Sequence, residues 1–284
     1  MAILVDLNQV LVSNVMQHIN IVGKNDIQED MIRHIVLNSL RAYNKQFKSK
    51  YGNLVICCDS KKYWRRDVFP LYKSHRKKER EKSDLNWNMI FDIFSKIRDE
   101  IKEYLPYRVI EVEGAEADDI IAVLAARFSQ HESVLILSSD KDFVQLQKYK
   151  NVSQYSPILK RFISTDDPHR YIKEHILKGD RGDGIPNFLS ADNTFALGER
   201  QKTINSKKLT EWLSADPSQF CTTDSMMRGY KRNQLLIDLD FTPIEIKSKI
   251  VEAYDDCKPK TKSNMLNYFI EKRLKTLMEV SDEF

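Results

Sequence analysis

Nine carboxylates are scattered between residues 6 and 183 of a 284-residue chain, and nearly all of them stand where an apolar run ends. They are Asp6, Asp59, Glu116, Asp118, Asp119, Asp140, Asp142, Asp180 and Asp183. Acids close the runs Leu4-Val5-Asp6, Val55-Ile56-Cys57-Cys58-Asp59 and Val134-Leu135-Ile136-Leu137-Ser138-Ser139-Asp140. Open parallel sheets place their ligands just beyond the carboxyl ends of their strands, so this spacing calls for a fold that gathers the acids in one crevice. Like charges brought together there repel strongly unless a divalent cation neutralises them, which makes magnesium chemistry the first expectation.

The order of elements agrees. Apolar runs at 3–7, 54–58, 107–112, 133–138 and 152–155 read as short buried strands, with longer segments of helical period between them. Residues 27–50 place Met31, Ile35, Leu37, Leu40 and Tyr43 at helical spacing, and 87–105 repeat the pattern from Met89 to Leu105. A third helix, Glu116 to Phe128, opens on three acids, where the positive end of the helix dipole favours them. The fold class expected is α/β, a mostly parallel twisted sheet flanked by helices. Past residue 165 the strand signals fade, and Met226–Leu239, Pro243–Tyr254 and Lys262–Val280 read as helices. The division expected is an α/β domain over 1–168 and a helical C-terminal subdomain over 169–284.

Net charge is only +4, but Lys61 to Lys82 holds ten Lys or Arg against three acids. That excess of +7 leaves about −3 for everything else, a basic cluster facing a field of acids. Such a balance suits a polyanion held against metal ions better than a membrane surface. The four cysteines show no CxxC or Cys/His spacing, so reduced thiols are expected and a zinc site is not. The N-terminus runs straight into Ala2-Ile3-Leu4-Val5 without an export signal, and no apolar run reaches membrane-spanning length. A cytoplasmic, non-membrane protein is expected.

Each acid group has a plain structural explanation when taken alone. Glu116, Asp118 and Asp119 could merely stabilise a helix N-terminus, although at least two of the three should point into the crevice. Asp140 could cap the helix that starts at Lys141, but a cap does not explain Asp142 two residues later. Asp180 and Asp183 sit in Gly179-Asp180-Arg181-Gly182-Asp183-Gly184-Ile185-Pro186, a turn that recruits Asp anyway. The coincidence of all of them carries the reading. Hard oxygen donors with no His among them suit magnesium or manganese rather than zinc or copper. An excess of acids over the needs of one ion points to two ions about 3.5–4 Å apart, the arrangement that supports in-line attack on a phosphodiester.

Directly after Asp59 comes Lys61-Lys62-Tyr63-Trp64-Arg65-Arg66-Asp67-Val68-Phe69-Pro70-Leu71-Tyr72-Lys73-Ser74-His75-Arg76-Lys77-Lys78. In a helix Lys73, Arg76 and Lys77 form one cationic face. Interleaved aromatics can stack on unpaired bases while cations track phosphates. For Trp64 and Phe69, burial in the core is the expected fate; for Lys73 and Arg76, contact with substrate is.

These stretches together resemble the flap endonuclease, or 5′-nuclease, family, which includes the 5′-nuclease domains of bacterial DNA polymerases. Glu116-Ala117-Asp118-Asp119-Ile120-Ile121, Ser139-Asp140-Lys141-Asp142-Phe143, Tyr72-Lys73-Ser74-His75-Arg76 and the 179–186 turn carry the resemblance. Tyr63-Trp64-Arg65-Arg66-Asp67, Gln145-Leu146-Gln147-Lys148-Tyr149 and Leu235-Leu236-Ile237-Asp238 extend it toward the family's bacteriophage branch, nearly end to end.

The resemblance implies a 5′-to-3′ exonuclease and flap endonuclease that removes RNA primers and adjoining DNA from lagging-strand fragments. It implies two Mg2+ ions, with Mn2+ able to substitute. Asp6, Asp59, Glu116, Asp118 and Asp140 would bind the first ion; Asp119, Asp142, Asp180 and Asp183 would hold the second, largely through water. Asp119 and Asp140 count with Lys73 and Arg76 as catalytic, the two cations gripping the scissile phosphate from a basic arch over about 61–85. Arg65, Arg66, Tyr72, Lys73, Arg76 and Lys77 are the nucleic-acid contacts expected.

Branched or 5′-flap DNA and RNA–DNA hybrid would be the substrates, the C-terminal helices would bind duplex, and a monomer is implied. A single-strand-binding protein and a sliding clamp are the protein partners the family suggests. The sequence departs from the family where a potassium ion (K+) would bind, since Asn187 follows Pro186 where glycine is usual and Gly198 alone remains of the later glycine pattern. Three other readings fit less well. A noncatalytic binder of branched DNA need not keep every acid. A magnesium phosphatase built on Asp140 and Asp142 lacks the residue usual after the pair, and a single-strand ribonuclease needs neither the basic arch nor the helical third.

Overall fold

The computed structural model describes residues 1–23 and 27–284. Strands β1 (Ala2–Asp6), β2 (Asn53–Cys58), β3 (Arg108–Glu111), β4 (Val134–Leu137), β5 (Val152–Ser156) and β6 (Arg161–Ile163) form one sheet in the order β3-β2-β1-β4-β5-β6. The first five are parallel. The edge strand β6 is antiparallel and had no signal in the sequence, being three residues long and mostly solvated. Five strands fall where the apolar runs placed them.

The helices are α1 (Leu7–Val22), α2 (Glu29–Tyr51), α3 (Trp64–Val68), α4 (His75–Glu81), α5 (Trp87–Tyr104), α6 (Ala117–Phe128) and α7 (Pro168–Lys178). They are followed by α8 (Ser206–Ser214), α9 (Pro217–Phe220), α10 (Asp224–Ile237), α11 (Ile244–Asp256), α12 (Lys262–Glu271) and α13 (Lys275–Met278). The segment after Asp140 is a 3-10 helix, Lys141–Lys148. The single helix expected over 262–280 is broken, because Arg273 takes a left-handed φ of 55° between α12 and α13.

The strands are apolar at nearly every position because both faces of the sheet are covered. Alternation sorts their side chains. Ile3, Val5, Leu54, Ile56, Leu135 and Leu137 pack under α1, α2 and α5, whereas Leu4, Val55, Cys57 and Ile136 meet Ile120, Ile121 and Leu124 of α6.

Much of the helical third packs on the sheet. Ile246 and Ile250 of α11 join the α6 face of the sheet, and Met265, Tyr268, Phe269 and Leu277 of α12 and α13 close the opposite face. Among the described residues, α7 to α10 build a separate cluster with Phe69 and Tyr72, around Phe188, Phe220 and Tyr230. There Gly229 of α10 lies so close to the 186–190 turn that a Cβ would meet the Phe188 carbonyl oxygen at 2.1 Å, so glycine is required by the crossing.

Topology positions the crevice. From β1 the chain builds outward on one side through β2 and β3, then returns to the other side of β1 for β4 and β5. Crossovers leave in opposite directions on either side of β1, so a cleft opens between β1 and β4 at their carboxyl ends. The parallel register levels those ends: Asp6 is opposite Cys57, and Val5 opposite Leu137.

Candidate active site

Each of the expected strand-end acids reaches that cleft. Asp6 ends β1 and caps α1, its Oδ1 accepting from the Gln9 amide at 3.1 Å and its Oδ2 from Ser138 Oγ at 3.1 Å. Asp59 follows β2 and accepts from the Ala117 amide at 2.7 Å and from the Asn8 side chain. Asp140 follows β4 and caps the 3-10 helix through the Asp142 amide at 2.9 Å. Gln154 of β5 fixes the turn before it by donating to the Ser138 and Asp140 carbonyls at 3.0 and 2.7 Å. Asp118 joins them from the first turn of α6, and Asp142 and Asp183 line the same cleft, whose volume is about 910 Å³.

Among the described residues, no Lys or Arg lies within ion-pair distance of Asp6, Asp59, Asp118, Asp140 or Asp142. Their electrostatics follow. Burial, with Asp59 and Asp140 close by, holds the Asp6 carboxyl up to about 7. Burial and Asp140 do the same to Asp142, also to about 7, and raise Asp118 well above the carboxylate range. Carboxyls that resist ionisation because they face one another are the setting a hard divalent cation relieves. The donor set, all oxygen on rigid strand ends and helix caps, fits such an ion.

Glu116, Asp119 and Asp180 are different, and do not line the cleft. Asp119 was expected to help hold the second ion and to be catalytic. It is instead 0% exposed, with Oδ2 accepting from Arg65 at 2.9 Å, Trp64 Nε1 at 3.2 Å and the Glu116 amide at 3.0 Å. Its Oδ1 accepts from Thr242 Oγ1 at 2.8 Å. Burial alone would raise its pKa, but Arg65 and these donors outweigh that and hold it below the usual range. With both oxygens accepting from protein donors, Asp119 ties α3, α6 and the turn at Thr242 together.

Glu116 caps α6 reciprocally with Asp119 and accepts from Arg65 at 2.8 Å and Lys73 Nζ at 2.6 Å, with Tyr72 Oη 3.1 Å away. Asp180 accepts from the Asp183 amide at 3.1 Å, His175 Nε2 at 2.8 Å and Lys141 Nζ at 2.9 Å, and these partners overcome burial to draw its pKa far down.

The basic segment divides into buried and exposed side chains. Arg65 is 2% exposed, donating to the Leu236 carbonyl as well as to Glu116 and Asp119, so it cannot meet substrate. Tyr72 is buried as well, its hydroxyl donating to Asp183 at 2.7 Å, and packs beneath the site, one of the two places the family resemblance allows it. Trp64 and Phe69 are buried in the core, as read from the sequence.

Lys73, Arg76 and Lys77 do not share a helical face, because Lys73 precedes α4 and takes a φ of 54°. That backbone is held by the Asp183 carbonyl, which accepts the Lys73 amide at 2.8 Å. It turns Nζ inward, 2.6 Å from Glu116 and 3.8 Å from Asp183. Arg76 donates to Asp183 at 2.7 Å and to the Gly182 carbonyl at 3.0 Å. Arg66 and Lys77 face solvent.

His175, overlooked in the sequence, lies among the acids. It occupies the last turn of α7, five residues before Asp180, with Nε2 on Asp180 and Nδ1 3.5 Å from Asp142 Oδ1. A helix running into the glycine turn was the available signal. Gly179 there has φ 70°, and a Cβ would meet the Ile185 carbonyl oxygen at 2.4 Å, so the turn folds back tightly enough to bring His175 to both acids. Beyond it, Arg232 of α10 donates to the Pro186 and Asn187 carbonyls at 2.7 and 3.3 Å, tying the loop to that helix.

Acids crowded at the switch point of a parallel sheet, faced by cations that can take a phosphate, define a metal-dependent nuclease. The chain belongs to the 5′-3′ exonuclease family: residues 3–176 match the 5′-3′ exonuclease N-terminal resolvase-like domain, and residues 167–284 match the domain described as T4 RNase H, C terminal. It is 36% identical to the ribonuclease H of Enterobacteria phage T4 over 99% of this chain and 95% of that protein. It is 29% identical to the 5′-3′ exonuclease of Buchnera aphidicola from Schizaphis graminum, over 80% and 81% of the two chains. The bacteriophage T5 flap endonuclease, solved with DNA and metal ions, has the same fold, with a TM-score of 0.63 at 16% identity over 90% of this chain and 99% of that one.

Proposed function

We propose that this 5′ nuclease acts with two Mg2+ ions, for which Mn2+ substitutes, on 5′ ends and flaps of branched DNA and on RNA–DNA hybrid. Its task in this reading is removal of RNA primers and adjoining DNA during lagging-strand synthesis. The observation that carries it is the group Asp6, Asp59, Asp118 and Asp140, which converge at the β1/β4 cleft without a protein cation among their hydrogen-bond partners. Those four acids would hold the first ion; Asp142 and Asp183 would face the second, with Asp180 behind them. Divalent ions there would activate water and stabilise the leaving oxygen of a phosphodiester.

The protein's own groups supply the rest. Lys73 and Arg76 stand at the rim of the acids, where they can exchange Glu116 and Asp183 for a phosphate oxygen. Lys73 is cationic in that role, since Asp183 and Glu116 outweigh the burial that opposes its charge. Exposed Arg66 and Lys77 supply further phosphate contacts, and the helical surface of α7 to α10 binds the duplex. The substrate is met by a monomer in the host cytoplasm. Among the described residues no helix is long and apolar enough to cross a membrane. A single-strand-binding protein and a sliding clamp are proposed as partners through the C-terminal helices.

Digestion of a 5′-labelled primer on a long template, and of a 5′-flap duplex, tests this. Release of short 5′ oligonucleotides with Mg2+ and none with EDTA is expected. Metal-independent cleavage, or cleavage only from 3′ ends, would overturn it.

A further inference from the structure

Two buried acceptor atoms in the second half of the cleft have no hydrogen-bond partner: Asp142 Oδ1 and His175 Nδ1. They lie 3.5 Å apart. His175 is only 8% exposed, and its orientation is fixed from both sides. Asp180 Oδ2 accepts from its Nε2 at 2.8 Å, and the Tyr171 ring packs edge-on against the imidazole, with centroids 6.4 Å apart. With Nε2 carrying the proton given to Asp180, Nδ1 presents a lone pair toward the Asp142 oxygen. Two buried polar atoms 3.5 Å apart, neither with a hydrogen-bond partner, leave a place for a cation between them.

Asp180 already accepts from the Asp183 amide, His175 and Lys141. Its place behind the imidazole is that of the carboxylate which orients a metal-bound histidine and raises its basicity. One potential ligand atom each from Asp142, His175 and Asp180 fall within 4.8 Å of one another.

We infer that the second ion of this chain is held by a mixed nitrogen–oxygen subsite, His175 Nδ1 with Asp142 Oδ1, with Asp180 as the positioning residue behind His175. An imidazole nitrogen is a poor donor for Mg2+ and a good one for Mn2+, Co2+ or Zn2+, so this subsite favours transition ions where the Asp6 side of the cleft remains an all-oxygen site. The inference rests on the two-ion reading proposed above and assigns it a donor that the acids alone do not supply.

Uniformly 15N-histidine-labelled full-length protein, titrated with Zn2+ to saturation and followed by long-range 1H–15N correlation, reads each ring nitrogen separately. Metal uptake is measured in parallel by calorimetry. Before zinc, His175 is expected as the Nε2-protonated tautomer. At saturation its Nδ1 resonance should move to the metal-bound range.

His175→Gln keeps an amide donor for Asp180 but removes the ring nitrogen. It should lose that resonance and weaken one class of zinc sites about tenfold or more, while His169→Gln changes neither. Zinc binding with an unmoved Nδ1, or a ring protonated on both nitrogens throughout, overturns the inference and leaves the two-ion reading standing. No zinc uptake at all overturns both.

Discussion

The two sides of the α6 N-terminus carry adjacent acids with opposite fates. Asp118 faces the cleft with Asp6, Asp59 and Asp140, and among the described residues no Lys or Arg makes an ion pair with any of them, although Lys73 lies near enough to Asp118 to oppose the rise in its pKa. Asp119, one residue on, is sealed behind the sheet with Arg65, Trp64 and Thr242 around it. Successive residues on a helix point about 100° apart, so one turn can serve two purposes. The difference separates acids that need a counter-ion from outside from acids that already have one. Chemistry belongs to the first group and architecture to the second.

Substitution should split the groups in the same way. The largest effect is expected from Asp118→Asn or Asp140→Asn: cleavage of a 5′-flap substrate falls about a hundredfold or more. The metal-free Tm stays level or rises, because a carboxyl that repels its neighbours when it ionises has been removed. Single-turnover kinetics and thermal melts check both halves. On the other side, Arg65→Ala leaves Glu116 and Asp119 buried without their cation, and breaking such a pair costs about 3–5 kcal/mol. Urea unfolding measures this loss, and an unaffected midpoint would break the comparison.

The acid groups also sort by pH. Asp6 and Asp142 are raised from the ordinary value of 3.8 to about 7 in the folded state, so between these limits the native protein binds more protons than the unfolded chain. Their contribution to metal-free stability is therefore fully present below pH about 4 and is lost as pH rises through about 7. The depressed Asp119 and Asp180 act in the other direction, losing their contribution only in more acidic solution. Melts of the metal-free protein from pH 5 to 8 should show a falling midpoint, which Mg2+ restores at the upper end. The smallest effect concerns exposed cations. Arg76→Ala with Lys77→Ala should lower the salt slope of single-strand binding by about 0.7 for each phosphate that is no longer neutralised.

Much of this was legible in the sequence because it is local. An apolar run that stops at an acid encodes both a strand and the position of its end, which is why Asp6, Asp59 and Asp140 reach the cleft they were assigned to. The partners of Asp119 and Arg65 were not legible, since each lies far along the chain. Arg65 meets Asp119 across 54 residues, and Asp119 meets Thr242 across 123. Family motifs record that a residue is an acid or a base, not whether its charge is already spoken for inside the fold. His175 escaped notice for a related reason: its meaning lies in a fold-back turn, and spacing of acids alone does not register it. The helical third looked separate because its strand signals cease, yet the apolar faces of α11 to α13 complete the two sheet-side cores.

Calorimetric titration of Mn2+ into the wild-type protein, Asp118→Asn and Asp119→Asn puts the division to its most direct test. Loss or strong weakening of a binding event in Asp118→Asn, with wild-type stoichiometry and affinity in Asp119→Asn, is the expected result. Equal loss in both variants, or loss in Asp119→Asn alone, would contradict it.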